Sequence, residues 1–148
     1  MRLEPLYRVT FEYPEGWSVA LAGVEQHFYV AEGRCEGAIA GRLRGANHPS
    51  RRADGTFCPD FQGVVETDDG ATVYFDLRGY GRAYPPGRRQ IVAFAFHLSD
   101  DERYRRLNDV VCACEGEVRV GDDRTVLVLD VAELVWEPLP ERGLRSSE

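Results

Sequence analysis

TFCPDFQGVVETDDGATVYFDLRG, residues 56–79, contains two alternating runs, Thr56 to Glu66 and Ala71 to Gly79, joined by Asp68-Asp69-Gly70. Paired as a hairpin with that three-residue loop, Val65 faces Val73, Gly63 faces Phe75 and Phe61 faces Leu77. On the other face Glu66 meets Thr72, Val64 meets Tyr74, Gln62 meets Asp76 and Asp60 meets Arg78. A two-residue loop would set Phe61 against Arg78. Strand side chains alternate with period two, so only an odd-length loop gives each strand a matched face. A type I turn followed by Gly70 in the left-handed region supplies it. The stretch therefore specifies an antiparallel ribbon with one oily and one polar face.

The flanking sequence repeats the theme. Leu3 to Tyr13 alternates, with Tyr7, Val9, Phe11 and Tyr13 on one side, and Pro14-Glu15-Gly16 reads as the turn that ends it. His27 to Ala31 is a short β-prone run that Gly33 separates from Cys35 to Leu43. Arg89 to Leu98 is apolar on both faces, and Val110 to Val118 and Arg124 to Trp136 follow. With the ribbon this makes eight or nine strands, spaced as in an all-β barrel or sandwich. One short helix is expected near residues 100–108: Ser99-Asp100-Asp101-Glu102 has the form of a capping box, and Tyr104 and Leu107 share a face that would pack over one barrel end. Residues 1–136 form one domain, and the aperiodic stretch 137–148 reads as a flexible tail.

The chain of 148 residues carries a formal net charge of −7, which argues against nucleic-acid or anionic-membrane partners. All 18 basic residues are arginine, so Schiff-base and P-loop lysine chemistry is excluded. The start, Met1-Arg2-Leu3-Glu4-Pro5, has no apolar signal region, and no run approaches a membrane-spanning helix, which points to the cytoplasm. Cys35, Cys58, Cys112 and Cys114 should then be reduced thiols. Cys112-Ala113-Cys114 resembles half a metal site, but no second Cys or His pair lies nearby in sequence, and small buried hydrophobes are the better reading. No metal and no cofactor are expected.

Several blocks in order carry a resemblance: Leu3-Glu4-Pro5-Leu6, Gly33-Arg34-Cys35-Glu36-Gly37, Ala53-Asp54-Gly55, Thr67-Asp68-Asp69-Gly70-Ala71, Arg78-Gly79, and Arg103-Tyr104 with Leu107-Asn108. Together they resemble the bacterial domain-of-unknown-function family DUF3237, also UPF0311. The resemblance spans residues 3–136 and implies a single antiparallel β-barrel domain, with no catalytic residue to carry over. Where members often show Asp-Trp after the Gly37 strand, this chain has Asn47-His48.

Two long connections, 44–55 and 79–89, hold six arginines and one aspartate, five net positive charges in an acidic protein. Arg82, Tyr80, Asn47 and His48 on these loops suit a carboxylate or phosphate. On the ribbon, Asp60, Arg78, Gln62, Asp76 and Tyr74 share a face. If that face is the lumen, it holds an acid, a guanidinium fork and a phenol able to orient an oxygenated ligand. The opposite placement, with Phe57, Phe61, Val65, Val73, Phe75 and Leu77 inside, is favoured because small barrels are filled by apolar side chains. His97, beside Ala93 and Ala95, is a candidate base; a lone histidine on an apolar face is more often a satisfied core residue. No nucleophile elbow, dinucleotide fingerprint or His-Glu-x-x-His occurs.

The function these residues fit is binding of a small organic metabolite, apolar in body with an anionic or carbonyl end. If catalysis occurs, a cofactor-free isomerisation or cyclisation fits, with His97 or Asp60 as base, Tyr74 as acid and Arg78 as oxyanion partner. The rival is a non-catalytic interaction module, a homodimer or larger homo-oligomer built on the second apolar face of Arg89–Leu98.

Overall fold

The computed structural model describes residues 1–84 and 88–141. Ten strands follow one another: β1 (Arg2–Leu21), β2 (Val24–Gly37), β3 (Gly41–Asn47), β4 (Ser50–Arg51), β5 (Phe57–Cys58), β6 (Asp60–Thr67), β7 (Thr72–Tyr84), β8 (Arg88–Leu98), β9 (Val111–Val120) and β10 (Thr125–Val135). Eight of them pair in the order β7-β6-β3-β2-β1-β10-β9-β8, and β8 pairs back onto β7, closing a ring. Every pairing is antiparallel. The two-residue strands β4 and β5 hang from the ring through Phe57 opposite Gly81.

The ribbon has the expected register, with Phe61 opposite Leu77, Asp60 opposite Arg78 and Glu66 opposite Thr72. The loop is closed by Thr67 N–H donating to Ala71 O at 2.9 Å, and Gly70 sits at φ 90°, where a side chain would be strained. The oily face points into the ring. Phe61, Val65, Val73, Phe75 and Leu77 all join a core that includes Leu43, Leu127, Leu129 and Val131.

Several expectations change, among them the run Cys35 to Leu43, which is split where β2 ends at Gly37 and β3 begins at Gly41. Pro14-Glu15-Gly16 is not a turn; β1 runs through it, and the register against β2 slips between Glu12 and Glu15. A bulge is where a strand tolerates proline, because no ladder donor is needed there. Gly33 does not break its strand either. It lies opposite Phe11, where a Cβ would come 2.1 Å from Thr10 O, so glycine lets β1 and β2 approach. Beyond the bulge these two strands continue as an arm that ends at Ala22-Gly23 and exposes Trp17, Val19, Leu21 and Val24.

The two long loops are mostly strand. Asn47 ends β3, and Gly79, Gly81 and Ala83 continue the inward positions of β7 while Tyr80 and Arg82 point out. The Pro85-Pro86 tip and residues 142–148 of the expected tail lie outside the described residues.

The capping-box helix is only a 3₁₀ turn, Arg105–Asp109. Asn108 clamps Ser99 at both ends: its Oδ1 accepts from Ser99 N–H at 2.8 Å and its Nδ2 donates to Ser99 O at 2.9 Å. Ser99 Oγ meanwhile donates to Thr72 O at 2.7 Å, tying the would-be cap to β7. The turn still places Leu107 in the core at the end of the ring that holds His97 and Cys112. No helix among the described residues is long and apolar enough to cross a membrane.

Candidate ligand-binding cavity

Inside the ring, the inward side chains leave a cavity of about 500 Å³. Its wall is oily: Val9 and Phe11 of β1, Leu43 of β3, Phe61 of β6, Phe75 and Leu77 of β7, Ile91 of β8, and Leu127, Leu129 and Val131 of β10. Each follows from strand parity, since residues two apart share a face. A space of this size and lining is typical of a small-molecule pocket.

Polar groups gather at the two ends. The mouth, farthest from the 3₁₀ turn, is lined by Tyr13, Tyr29, Asn47, Arg51, Arg88, Arg89 and Thr125. Asn47 is buried. Its Nδ2 donates to Tyr13 Oη at 2.9 Å, and its Oδ1 accepts the Asp60 N–H at 3.0 Å, so it joins β3, β6 and β1. The Arg89 guanidinium lies 4.5 Å over the Phe57 ring, a contact that keeps a cation at the rim of an apolar space. Arg88 is 3.6 Å from a Glu117 carboxylate oxygen. Burial pushes the Tyr13 phenol up to about 12; the Asn47 hydrogen bond and the Arg89 charge pull the other way.

At the floor, Tyr7 lines the cavity and its Oη is 2.7 Å from His97 Nε2. The two rings meet edge to face with centroids 5.6 Å apart. On the far side, His97 Nδ1 is 3.7 Å from Cys112 Sγ. Burial drives Tyr7 well above the usual phenol value and lowers His97 to about 4, so both are neutral at neutral pH. It likewise raises Cys35 and Cys114 to about 12 and Cys112 to about 11, which makes these thiols small protonated core groups. Among the described residues no cluster of three His, Cys, Asp or Glu is placed to hold a metal ion.

The sequence-derived site residues divide sharply. Asn47 lines the cavity, and His97 stands directly behind its floor, 3 % exposed. Asp60, Gln62, Asp76, Arg78 and Tyr74 are on the outer face, because Phe61, Phe75 and Leu77 take the inward parity. There Gln62 Nε2 donates to Asp60 at 2.6 Å and Asp76 at 3.1 Å, and Arg78 lies 3.6 Å from Asp60. Such a solvent-facing pair is worth about 0–1 kcal/mol. Tyr80 is also outside, under the Arg52 guanidinium at 5.5 Å, and Arg82 is exposed beside it on β7. His48 is exposed and packs edge to face on Phe28, with centroids 4.9 Å apart.

Tyr7, Tyr13, Tyr29, Arg51 and Arg89 were not among the sequence-derived site residues. A signal for one existed: Arg89 shares parity with Ile91, Ala93, Ala95 and His97, so it had to face inward if they did. Serine, histidine and acid do meet on the arm, Ser18 Oγ lying 2.7 Å from His27 Nδ1 and Glu25 3.4 Å from Nε2, but none of the three lines the cavity.

The same fold occurs in solved structures. A β-barrel-like protein from Acinetobacter baumannii AYE matches with a TM-score of 0.79 at 21% identity, over 90% of this chain and 96% of that one. A protein of unknown function from Clostridium acetobutylicum ATCC 824 matches with a TM-score of 0.79 at 14% identity, over 91% and 100%. A protein from Penicillium herquei described as an enzyme matches with a TM-score of 0.61 at 19% identity, over 88% and 93%. At these identities the likeness is one of fold. No curated protein matches the chain. A family model described as a protein of unknown function, DUF3237, matches residues 1–134.

Proposed function

The chain belongs to the DUF3237 family, and from that premise we propose that its eight-stranded ring is a β-barrel that binds a small organic molecule, apolar in body with an anionic or carbonyl end. The observation that carries this reading is the cavity of about 500 Å³, oily along its walls, with Arg51 and Arg89 at its mouth. A planar guanidinium at the rim of an apolar space pairs with a carboxylate in two parallel hydrogen bonds. Burial of the rest of the ligand against Phe11, Phe61, Phe75, Leu127 and Leu129 supplies the bulk of the affinity.

For catalysis, this inventory fits a cofactor-free proton transfer, an isomerisation or cyclisation of an oxygenated metabolite. Tyr7 would meet the ligand, with His97 acting through it, while Asp60, Tyr74 and Arg78 lie on the wrong side of the wall. The Penicillium herquei enzyme supports a catalytic use of this fold.

Native mass spectrometry of protein purified from its own host is expected to show a co-purifying small molecule. Biphenyl-4-carboxylate, titrated by calorimetry, is expected to fill one site and to bind about tenfold more weakly to an Arg51→Gln/Arg89→Gln variant. Equal affinity in wild type and variant would remove the anion-recognition claim.

A second reading concerns the outer surface. Val92, Phe94, Phe96 and Leu98 of β8 are 60 %, 43 %, 46 % and 59 % exposed, next to exposed Tyr74 and Val111 on the neighbouring strands. Four large apolar side chains in a row on a sheet exterior suit a two-fold contact with a second copy. This homodimer leaves the interior cavity intact. Sedimentation velocity is expected to show twice the 16.7 kDa chain mass, reverting to monomer in Phe94→Arg/Phe96→Arg. A monomer at high micromolar concentration would remove this reading.

A further inference from the structure

The geometry points to Tyr7, His97 and Cys112 as a deep subsite for a neutral oxygen of the ligand, one that accepts either a hydroxyl or a carbonyl there. This rests on the cavity being a ligand site and adds what its far end selects.

A tyrosine at the floor of an oily cavity, backed by a buried histidine, is costly to desolvate, and a bland pocket would have phenylalanine and leucine in these places. Their contacts form one line: Cys112 Sγ, 3.7 Å to His97 Nδ1, then His97 Nε2, 2.7 Å to Tyr7 Oη. A neutral imidazole has one donor and one acceptor nitrogen, while a hydroxyl and a thiol can each do both. The line therefore has two complete arrangements.

In the first, His97 carries its proton on Nδ1 and donates to Cys112, Tyr7 donates to Nε2, and the Tyr7 oxygen is left as an acceptor. In the second, Cys112 donates to Nδ1, Nε2–H donates to Tyr7, and the Tyr7 O–H is left as a donor. Both keep every buried polar atom paired, in keeping with the absence of unpartnered buried side-chain polar atoms among the described residues. The first receives a ligand hydroxyl that donates, and the second is the only one that can serve a ligand carbonyl, which accepts. No charge is separated in either, which suits a site where burial lowers His97 and raises Tyr7 and Cys112.

The dimensions fit a rod-shaped ligand. Tyr7 and Tyr13 are six residues apart on β1, roughly 20 Å of strand at about 3.3 Å per residue, and strand tilt shortens this along the ring axis. A molecule with an anion at Arg89 and a neutral oxygen at Tyr7 spans floor to mouth.

Three 4′-substituted biphenyl-4-carboxylates test this by calorimetry: hydroxyl, acetyl and methyl. The hydroxyl and acetyl probes are expected to bind about fivefold to tenfold more tightly than the methyl probe, and Tyr7→Phe to abolish that preference. A second measurement needs no variant. The nitrogen-15 shifts of His97 should report the Nε2–H tautomer with the acetyl probe, whose carbonyl can only accept. Equal binding of all three probes, or the Nδ1–H tautomer in the acetyl complex, overturns the deep subsite while leaving the cavity as a ligand site. No binding by any of them overturns both.

Discussion

Gly116→Ala is expected to cost the fold about 3 kcal/mol or more, a large fraction of what a domain of this size has to lose. Gly116 sits in β9 between Ile91 of β8 and Leu129 of β10. A Cβ built there lies 1.9 Å from Val128 O and 2.9 Å from Leu129 Cα, both backbone atoms that cannot swing aside. Relief would require β9 and β10 to part, with loss of ladder bonds at the cavity wall. Gly81→Ala is the contrast, because its new methyl is crowded by the flexible Arg89 side chain alone, at 3.1 Å, with the Gln90 backbone oxygen at an ordinary contact of 3.6 Å. That variant should lose under about 1 kcal/mol. Urea melts of the two read the difference, and similar midpoints would contradict the close approach of β9 and β10.

Acid should weaken the protein between about pH 6.5 and 4, with His97 as a major cause. Unfolded, this imidazole titrates near 6.5; folded, burial lowers it to about 4. Across that window the unfolded chain takes up a proton that the native state refuses, so stability is fully present above 6.5, falls with pH, and levels off below 4. The loss amounts to about 3 kcal/mol, since each pH unit of difference is worth about 1.4. The groups facing His97 are the neutral Tyr7 phenol and Cys112 thiol, so no carboxylate contact offsets the effect. Asp54 and Asp101, held down to about 2 by their hydrogen bonds, titrate below this range. Denaturant midpoints at pH 7, 5.5 and 4.5 should show the slope in wild type and a flatter one in His97→Gln. The same slope in both would assign the acid sensitivity elsewhere.

The ribbon was legible in the sequence because its information is local: a period of two, an odd loop, and Gly70 where the turn needs it. The inward parity of Phe61 and Leu77 then decides that Asp60 and Arg78 face solvent. What misled was punctuation. Pro14 and Gly33 look like breaks in one dimension, yet one sits at a bulge and the other at a close strand approach. Ser99 and Glu102 have the spacing of a cap, but the Ser99 hydroxyl accepts from Asp101 N–H, two residues on, while it donates to Thr72 O, far away in sequence. The cavity was the least legible element. Tyr7, Tyr13, Tyr29 and Arg89 come from three strands, and each alone looks like ordinary core or rim. Only closure of the ring brings them to the same space.

The arm has a practical consequence for spectroscopy. Trp17 lies on it, 53 % exposed, and Trp136, after the last strand, is 81 % exposed. Indole emission will therefore be solvent-like already in the native protein and will change little on unfolding or on cavity filling. The chromophores lining the interior are Tyr7, Tyr13 and Tyr29. Near-ultraviolet circular dichroism in the tyrosine band is the optical signal that will follow what enters.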